Sequence, residues 1–144
     1  MNFEESLQFL SSHINRSITK EKIDDTALDN MRLLAEAIGS PQMDFPCIHI
    51  TGTNGKTSTK ELIVRFLKTK YKVNYSKGNH NSMTSLPLSI LGFNCDADYC
   101  VLEMGASKNG EIEELCNIAK PNIGLITNIS KSHLDGYKDF NSLV

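Results

Sequence analysis

The sequence predicts an α/β fold, with a mostly parallel, doubly wound sheet flanked by helices. Two observations carry this. Short apolar runs of strand length alternate with stretches of helical spacing between residues 47 and 126, and the sharp polar turns fall directly after the expected strands. With 144 residues the chain is bounded to one domain of ordinary size, so catalysis in a cleft between domains needs a partner chain or a further C-terminal segment.

Phe3, Leu7, Phe9, Leu10 and Ile14 have approximate helical spacing, and so do Leu28, Met31, Leu33, Leu34, Ala37 and Ile38 before a stop at Gly39. Residues 1–45 therefore read as a helical lead-in, and residues 46–144 as the α/β part. Cys47-Ile48-His49-Ile50 is too short for a helix and runs straight into Thr51-Gly52-Thr53-Asn54-Gly55-Lys56-Thr57, which reads as a strand entering a glycine turn. Helical spacing resumes from Thr57 to Lys68 through Leu62, Ile63, Phe66 and Leu67, and Tyr71 to Tyr75 follows as a strand. This is a βαβ unit, whose strands are parallel by construction. A second unit follows: helix Leu86 to Leu91, strand Asp98 to Leu102, helix Glu111 to Ala119 stopped by Pro121, and strand Ile123 to Ile126.

Composition excludes several classes. Fifteen Lys and Arg against seventeen Asp and Glu leave a net charge of −2, without the basic excess of a nucleic-acid or membrane-surface binder. The start, MNFEESLQFL, carries two acids and no basic, apolar leader pattern, and no apolar run approaches the roughly 18 residues that span a bilayer. Cytoplasmic placement is the expectation. Cys47, Cys95, Cys100 and Cys116 form no CxxC pair, so reduced thiols are expected rather than a zinc site or a disulfide framework. His13 and His49 have no supporting motif around them and read as structural.

The loop after the first strand has a physical purpose. Glycines let backbone N–H groups turn toward phosphate oxygens, and the start of the following helix adds partial positive charge. Thr53, Asn54, Gly55, Lys56, Thr57 and Ser58 are therefore the candidate nucleotide contacts, with Lys56 reaching the β/γ-phosphates and the Thr57 hydroxyl placed for a magnesium ion. Ile50 stands where the usual Walker A pattern has its first glycine, so this is a shorter variant. Glu103 closes a strand before Met104-Gly105-Ala106 and offers a carboxylate to the same ion. His133, in Ser132-His133-Leu134-Asp135, and Asn79, in Gly78-Asn79-His80-Asn81, follow other strands at the same edge.

Taken together, the 51–57 loop, Glu103 to Ala106, and Asn128 with His133-Leu134-Asp135 resemble the Mur ligase superfamily of ATP-dependent carboxylate-amine ligases. The match runs in order over roughly residues 46 to 137. The resemblance implies a P-loop NTPase-like central domain, incomplete on its C-terminal side, with ATP and Mg2+ as cofactors. It implies an acyl phosphate that an incoming amine displaces, with small-molecule carboxylate and amino-acid or peptide amine substrates. Lys56 and His133 are then catalytic. Thr57, Glu103 and His133 are metal ligands, Asn79 is a nucleotide or substrate contact, and Asn128 is a weaker candidate for the same shell. Two branches stay open. The lead-in Asp29 to Leu34, Gly39-Ser40-Pro41-Gln42 and Phe45 to Ile50 is similar to folylpolyglutamate synthases. Gly78 to Asn81, Pro87, Gly110-Glu111-Ile112 and Ser132 to Tyr137 are similar to muramyl-peptide ligases, although Ser85 replaces a glycine usual there. A nucleotide-binding or regulatory P-loop protein without ligase activity is the alternative. A GTPase or kinase is disfavoured because no guanine-specificity motif is visible.

Overall fold

The computed structural model of the chain describes residues 33–37 and 39–130. The expected helix from Phe3 to Ile14 and the segment carrying His133 lie outside the described residues. The chain divides into two compact units, Met1–Ser40 and Pro41–Val144. In the first, residues 33–37 are helical. Gly39, at φ +90°, ends the helix where the sequence places the stop, with the amides of Gly39 and Ser40 donating to the carbonyls of Glu36 and Ala35 at 3.0 and 2.7 Å.

In the second unit, a 3-10 turn at Pro41–Met43 precedes strand β1 (Cys47–Thr51), helix α1 (Lys56–Leu67), β2 (Val73–Tyr75), α2 (Ser85–Leu91), β3 (Tyr99–Glu103), α3 (Glu111–Ala119) and β4 (Ile123–Ile126). The four strands form one parallel sheet in the order β2-β3-β1-β4. The expected strand from Tyr71 starts later, at Val73. Tyr71 still belongs to the turn closing α1, donating its amide to the carbonyl of Leu67 at 2.9 Å, and the Lys72 amide is taken by the Asp98 carboxylate at 2.8 Å.

Register places the ends of the strands. Ile50 pairs with Glu103 across β1 and β3, and Thr51 with Ile126 across β1 and β4. After β1 the chain passes to β2, beyond β3, and β4 then joins on the other side of β1. The crevice at such a reversal, beyond the carboxyl ends of the strands, is where open α/β sheets bind ligands.

β1 and β3 are buried on both faces, as parallel strands covered by helices are. On the α1 face, Ile50, Val64 and Val101 form a buried cluster against Ile63, Leu67, Val73, Tyr75 and Leu125. Each fully buried aliphatic side chain here stabilises by about 2 kcal/mol. The inward stripe of α1 differs from the expected one: Leu62 and Phe66 are exposed at 68% and 76%, and the buried positions are Lys60 and Val64. Lys60, Ile63, Val64 and Leu67 keep the i, i+3, i+4, i+7 spacing, with a lysine at its first position. Ile123 and Ile126 of the edge strand β4 are exposed. Among the described residues no helix is long and apolar enough to cross a membrane.

Candidate functional site

Four connections meet at the carboxyl edge of the sheet: the 52–55 loop after β1, residues 76–81 after β2, the turn after β3, and residues 127–130 after β4. Gly52 adopts φ +127°, and a Cβ there would lie 2.3 Å from Thr127 Oγ1 and 2.7 Å from the Asn128 carbonyl. Only glycine admits this approach. The tail of β4 then clamps the loop. Thr53 N donates to the Asn128 carbonyl at 2.9 Å, Asn54 N to Asn128 Oδ1 at 2.8 Å, and Thr127 Oγ1 to the Asn54 carbonyl at 2.7 Å. Ser130 N donates to Thr53 Oγ1 at 3.0 Å.

Gly55, at φ +78°, caps α1, and its missing Cβ leaves open space. The first turn of α1 carries no acid, so its free amides and positive dipole end stand unopposed behind the loop. Lys56 is folded back on the loop, its Nζ donating to the carbonyls of Gly52 at 2.6 Å and Thr53 at 3.2 Å. The Ser58 side chain is exposed.

Thr57 and Glu103 meet directly, Thr57 Oγ1 donating to Glu103 Oε2 at 2.8 Å. Glu103 is only 2% exposed. Its other oxygen accepts from Asn81 Nδ2 at 2.9 Å, and its amide donates to Ser76 Oγ at 2.9 Å. The expected Asn79 lies in the same turn, exposed, with its carbonyl accepting from the Asn81 amide at 2.8 Å. His80 Nδ1 stands 3.3 Å from Ser89 Oγ. The expected residues Thr53, Asn54, Gly55, Lys56, Thr57 and Glu103 are thus brought together, whereas His133 lies outside the described residues.

His49 packs on the opposite side of β1, 8% exposed, with Nδ1 3.0 Å from Met104 Sδ and 3.5 Å from Cys116 Sγ. Burial holds its pKa below the usual imidazole value. The four cysteines are free thiols. A hydrogen bond with Cys47 and burial push the Cys100 thiol up, and burial does the same for Cys116, so neither is activated as a nucleophile.

Residues 50–144, two thirds of the chain, match the family described as the Mur ligase middle domain. The chain belongs to this family. Among its curated relatives, the UDP-N-acetylmuramoyl-tripeptide--D-alanyl-D-alanine ligase of Borreliella burgdorferi is 42% identical over 117 residues, covering 79% of this chain and 25% of the relative. The ligase of the same name from Bacillus subtilis is 41% identical over 112 residues, covering 78% and 24%. Among solved structures, the MurF ligase of Thermotoga maritima in complex with ADP superposes with a TM-score of 0.73 at 31% identity, over 90% of this chain and 30% of that one. A MurF structure from Acinetobacter baumannii gives 0.72 at 27% identity, over 81% and 25%. The chain spans about a quarter of the length of these curated relatives.

Within this Mur ligase middle domain, three contacts go beyond what the sequence indicates: those of Lys60 and Thr127, and the bond of Asn81 to Glu103, Asn81 being expected only as part of the Gly78-Asn79-His80-Asn81 turn. Lys60 is fully buried, its Nζ donating to the carbonyls of Ser76 at 2.8 Å and Gly78 at 2.9 Å. A lysine at the first position of an otherwise apolar helical stripe was the signal available for it. Asn81 carried one too, as the last member of an Asn-rich turn after a strand. Thr127 carried none, because its role depends on β4 lying beside β1.

Proposed function

We propose that this chain is the ATP-binding part of a muramyl-peptide ligase, an enzyme that activates a substrate carboxylate as an acyl phosphate and joins it to an incoming amine. The observation that carries this is the Thr57–Glu103 pair at 2.8 Å beside a glycine loop whose lysine is one residue away. In this reading the amides of Gly55 to Ser58 face the phosphates, while Thr53 and Asn54, whose amides are held by Asn128, line the loop beside them. Lys56 leaves the carbonyls of Gly52 and Thr53 for the β/γ-phosphates, where its charge stabilises the transferring phosphoryl group. Asn128 holds the loop in shape, and Asn79 is a further contact for nucleotide or substrate.

The donor set suits Mg2+: a hydroxyl and a carboxylate oxygen, both hard, converge at the start of α1. That ion binds through one or two protein oxygens together with phosphates and water. Thr57 and Glu103 would hold it, and the bound ion neutralises charge on the phosphates. His133 is assigned a second such ion and a catalytic role by family resemblance. Residues 1–45 are the lead-in, and 46–144 are part of the central domain.

The relatives' names favour UDP-muramoyl tripeptide and D-alanyl-D-alanine as substrates over the folate branch. The ADP held by the Thermotoga maritima relative supports the nucleotide. The test is a titration of the chain with a fluorescent ATP analogue and Mg2+. Lys56→Ala is expected to weaken binding at least about tenfold. Equal affinity in a folded Lys56→Ala chain overturns the reading. Phosphate release dependent on both substrates, measured after adding the remainder of a relative's ligase, tests the ligation itself.

A further inference from the structure

Lys60 stands outside every role given above, yet it is the most deeply buried charge among the described residues, with a side-chain exposure of 0%. A buried ammonium is tolerated only where its three donors and its charge are met. Two donors go to main-chain carbonyls, Ser76 at 2.8 Å and Gly78 at 2.9 Å. The charge faces two carboxylates, Glu103 Oε2 at 3.8 Å and the half-exposed Glu61 Oε1 at 3.3 Å. Lys60 therefore joins three elements: α1, which also bears Lys56 and Thr57; the segment after β2; and the last residue of β3.

The segment that it grips leads directly to the residue orienting Glu103. Ser76 is itself fully buried, its amide donating to the Val101 carbonyl at 3.1 Å and its hydroxyl accepting from the Glu103 amide at 2.9 Å. Further along, Asn81 donates its side-chain amide to Glu103 Oε1, and its carbonyl accepts from the Gly105 amide at 2.8 Å. A Cβ on Gly105 would come within 3.2 Å of the Asn81 side chain, so this turn is closely fitted.

From this network we infer that Lys60 is a positioning residue for the metal site: by holding the Ser76 and Gly78 carbonyls and facing Glu103, it fixes the carboxylate that Thr57 and Mg2+ share. This rests on the ATP and Mg2+ reading above. The shape of Lys60 is not what matters here. A neutral side chain of similar length fills the same volume but leaves two buried carbonyls without a donor and Glu103 without its internal counter-charge.

The test compares the wild-type chain with Lys60→Met, Glu103→Gln and the double variant. The readouts are affinity for a fluorescent ATP analogue across a Mg2+ titration and in EDTA, with urea unfolding in parallel. Lys60→Met is expected to raise the Mg2+ concentration needed for half-maximal enhancement of binding about tenfold, as loss of a partner behind a metal ligand does. Binding in EDTA should stay within about twofold, since the loop amides are untouched. The double variant should need no more Mg2+ than Glu103→Gln alone, because Lys60 acts through Glu103. An unchanged or lower Mg2+ requirement in Lys60→Met, equal losses with and without Mg2+, or additive effects in the double variant would overturn the inference.

If Lys60→Met does not fold, Lys60→Gln takes its place, since it keeps a donor for one of the two carbonyls but loses the charge: the same rise in Mg2+ requirement supports the inference, and an unmoved requirement overturns it. A wild-type chain that binds no nucleotide removes the ATP reading and this inference with it. Wild-type binding with an unmoved Lys60→Met removes the inference alone.

Discussion

Thr57 Oγ1 donates to Glu103 Oε2 at 2.8 Å, joining the first turn of α1 to the last residue of β3 across the mouth of the sheet. The contact exists because β1 and β3 are neighbours in register, with Ile50 opposite Glu103, so the helix that follows β1 begins beside the carboxylate that ends β3. Removing the hydroxyl takes away one of the two hard oxygens. Thr57→Ala is expected to weaken Mg2+-dependent ATP binding about tenfold or more while leaving binding in EDTA unchanged, and Thr57→Ser is expected to restore it. A calorimetric titration in the two conditions measures this, and an unaltered Mg2+ requirement in Thr57→Ala removes Thr57 from the site.

The two glycines of the loop should respond differently to the same change. At Gly52 an added methyl would collide with Thr127 Oγ1 and the Asn128 carbonyl as well as straining φ, so Gly52→Ala should cost about 3 kcal/mol or more. At Gly55 the backbone is left-handed but the space is open, so Gly55→Ala should cost only about 1 to 2 kcal/mol. Urea unfolding of both variants decides. Equal costs would mean that the tail of β4 does not press on the loop in solution.

Legibility in the sequence followed the range of the interactions. The helix Glu111–Ala119 and the strand Ile123–Ile126 were readable to the residue, because Gly110, Pro121 and the local apolar pattern set their ends. Thr57 and Glu103 were readable as types in the right places after strands. Their meeting at one ion was expected from the resemblance, but the direct hydrogen bond between them was not, because it depends on strand order, and nothing local states that β3 rather than β2 lies beside β1. The α1 stripe was misplaced for a related reason. Leu62 and Phe66 look like core residues by hydropathy, yet the helix turns Lys60 inward, because Ser76, Gly78 and Glu103 lie there to receive it.

Asn128 holds the loop through its carbonyl, which accepts from Thr53 N, and through its side-chain oxygen, which accepts from Asn54 N at 2.8 Å. Only the second can be removed by substitution. Asn128→Ala is expected to lower stability by about 1 kcal/mol and to loosen nucleotide binding in EDTA as well as in Mg2+. Asn128→Asp retains the acceptor and should keep the stability, while its negative charge near the phosphates lowers nucleotide affinity. Equal stability of wild type and Asn128→Ala would show that the Asn54 contact adds nothing to the fold.

His49 supplies a prediction in pH. Burial keeps its folded pKa below 6.5, so the native state resists a proton that the unfolded chain takes up. Between those two values the unfolded state binds more protons, and stability must fall as pH is lowered from neutrality through 6.5 toward the folded pKa. For a single proton the slope is at most about 1.4 kcal/mol per pH unit. His49→Phe removes the titrating group while keeping a buried ring against Met104 and beside Gly124, whose missing Cβ makes room for the imidazole. Urea unfolding at pH 7.5 and 5.5 should therefore show a larger loss on acidification for wild type than for His49→Phe. An identical loss in both chains would mean that carboxylates elsewhere carry the whole pH dependence and that His49 takes up its proton as readily folded as unfolded.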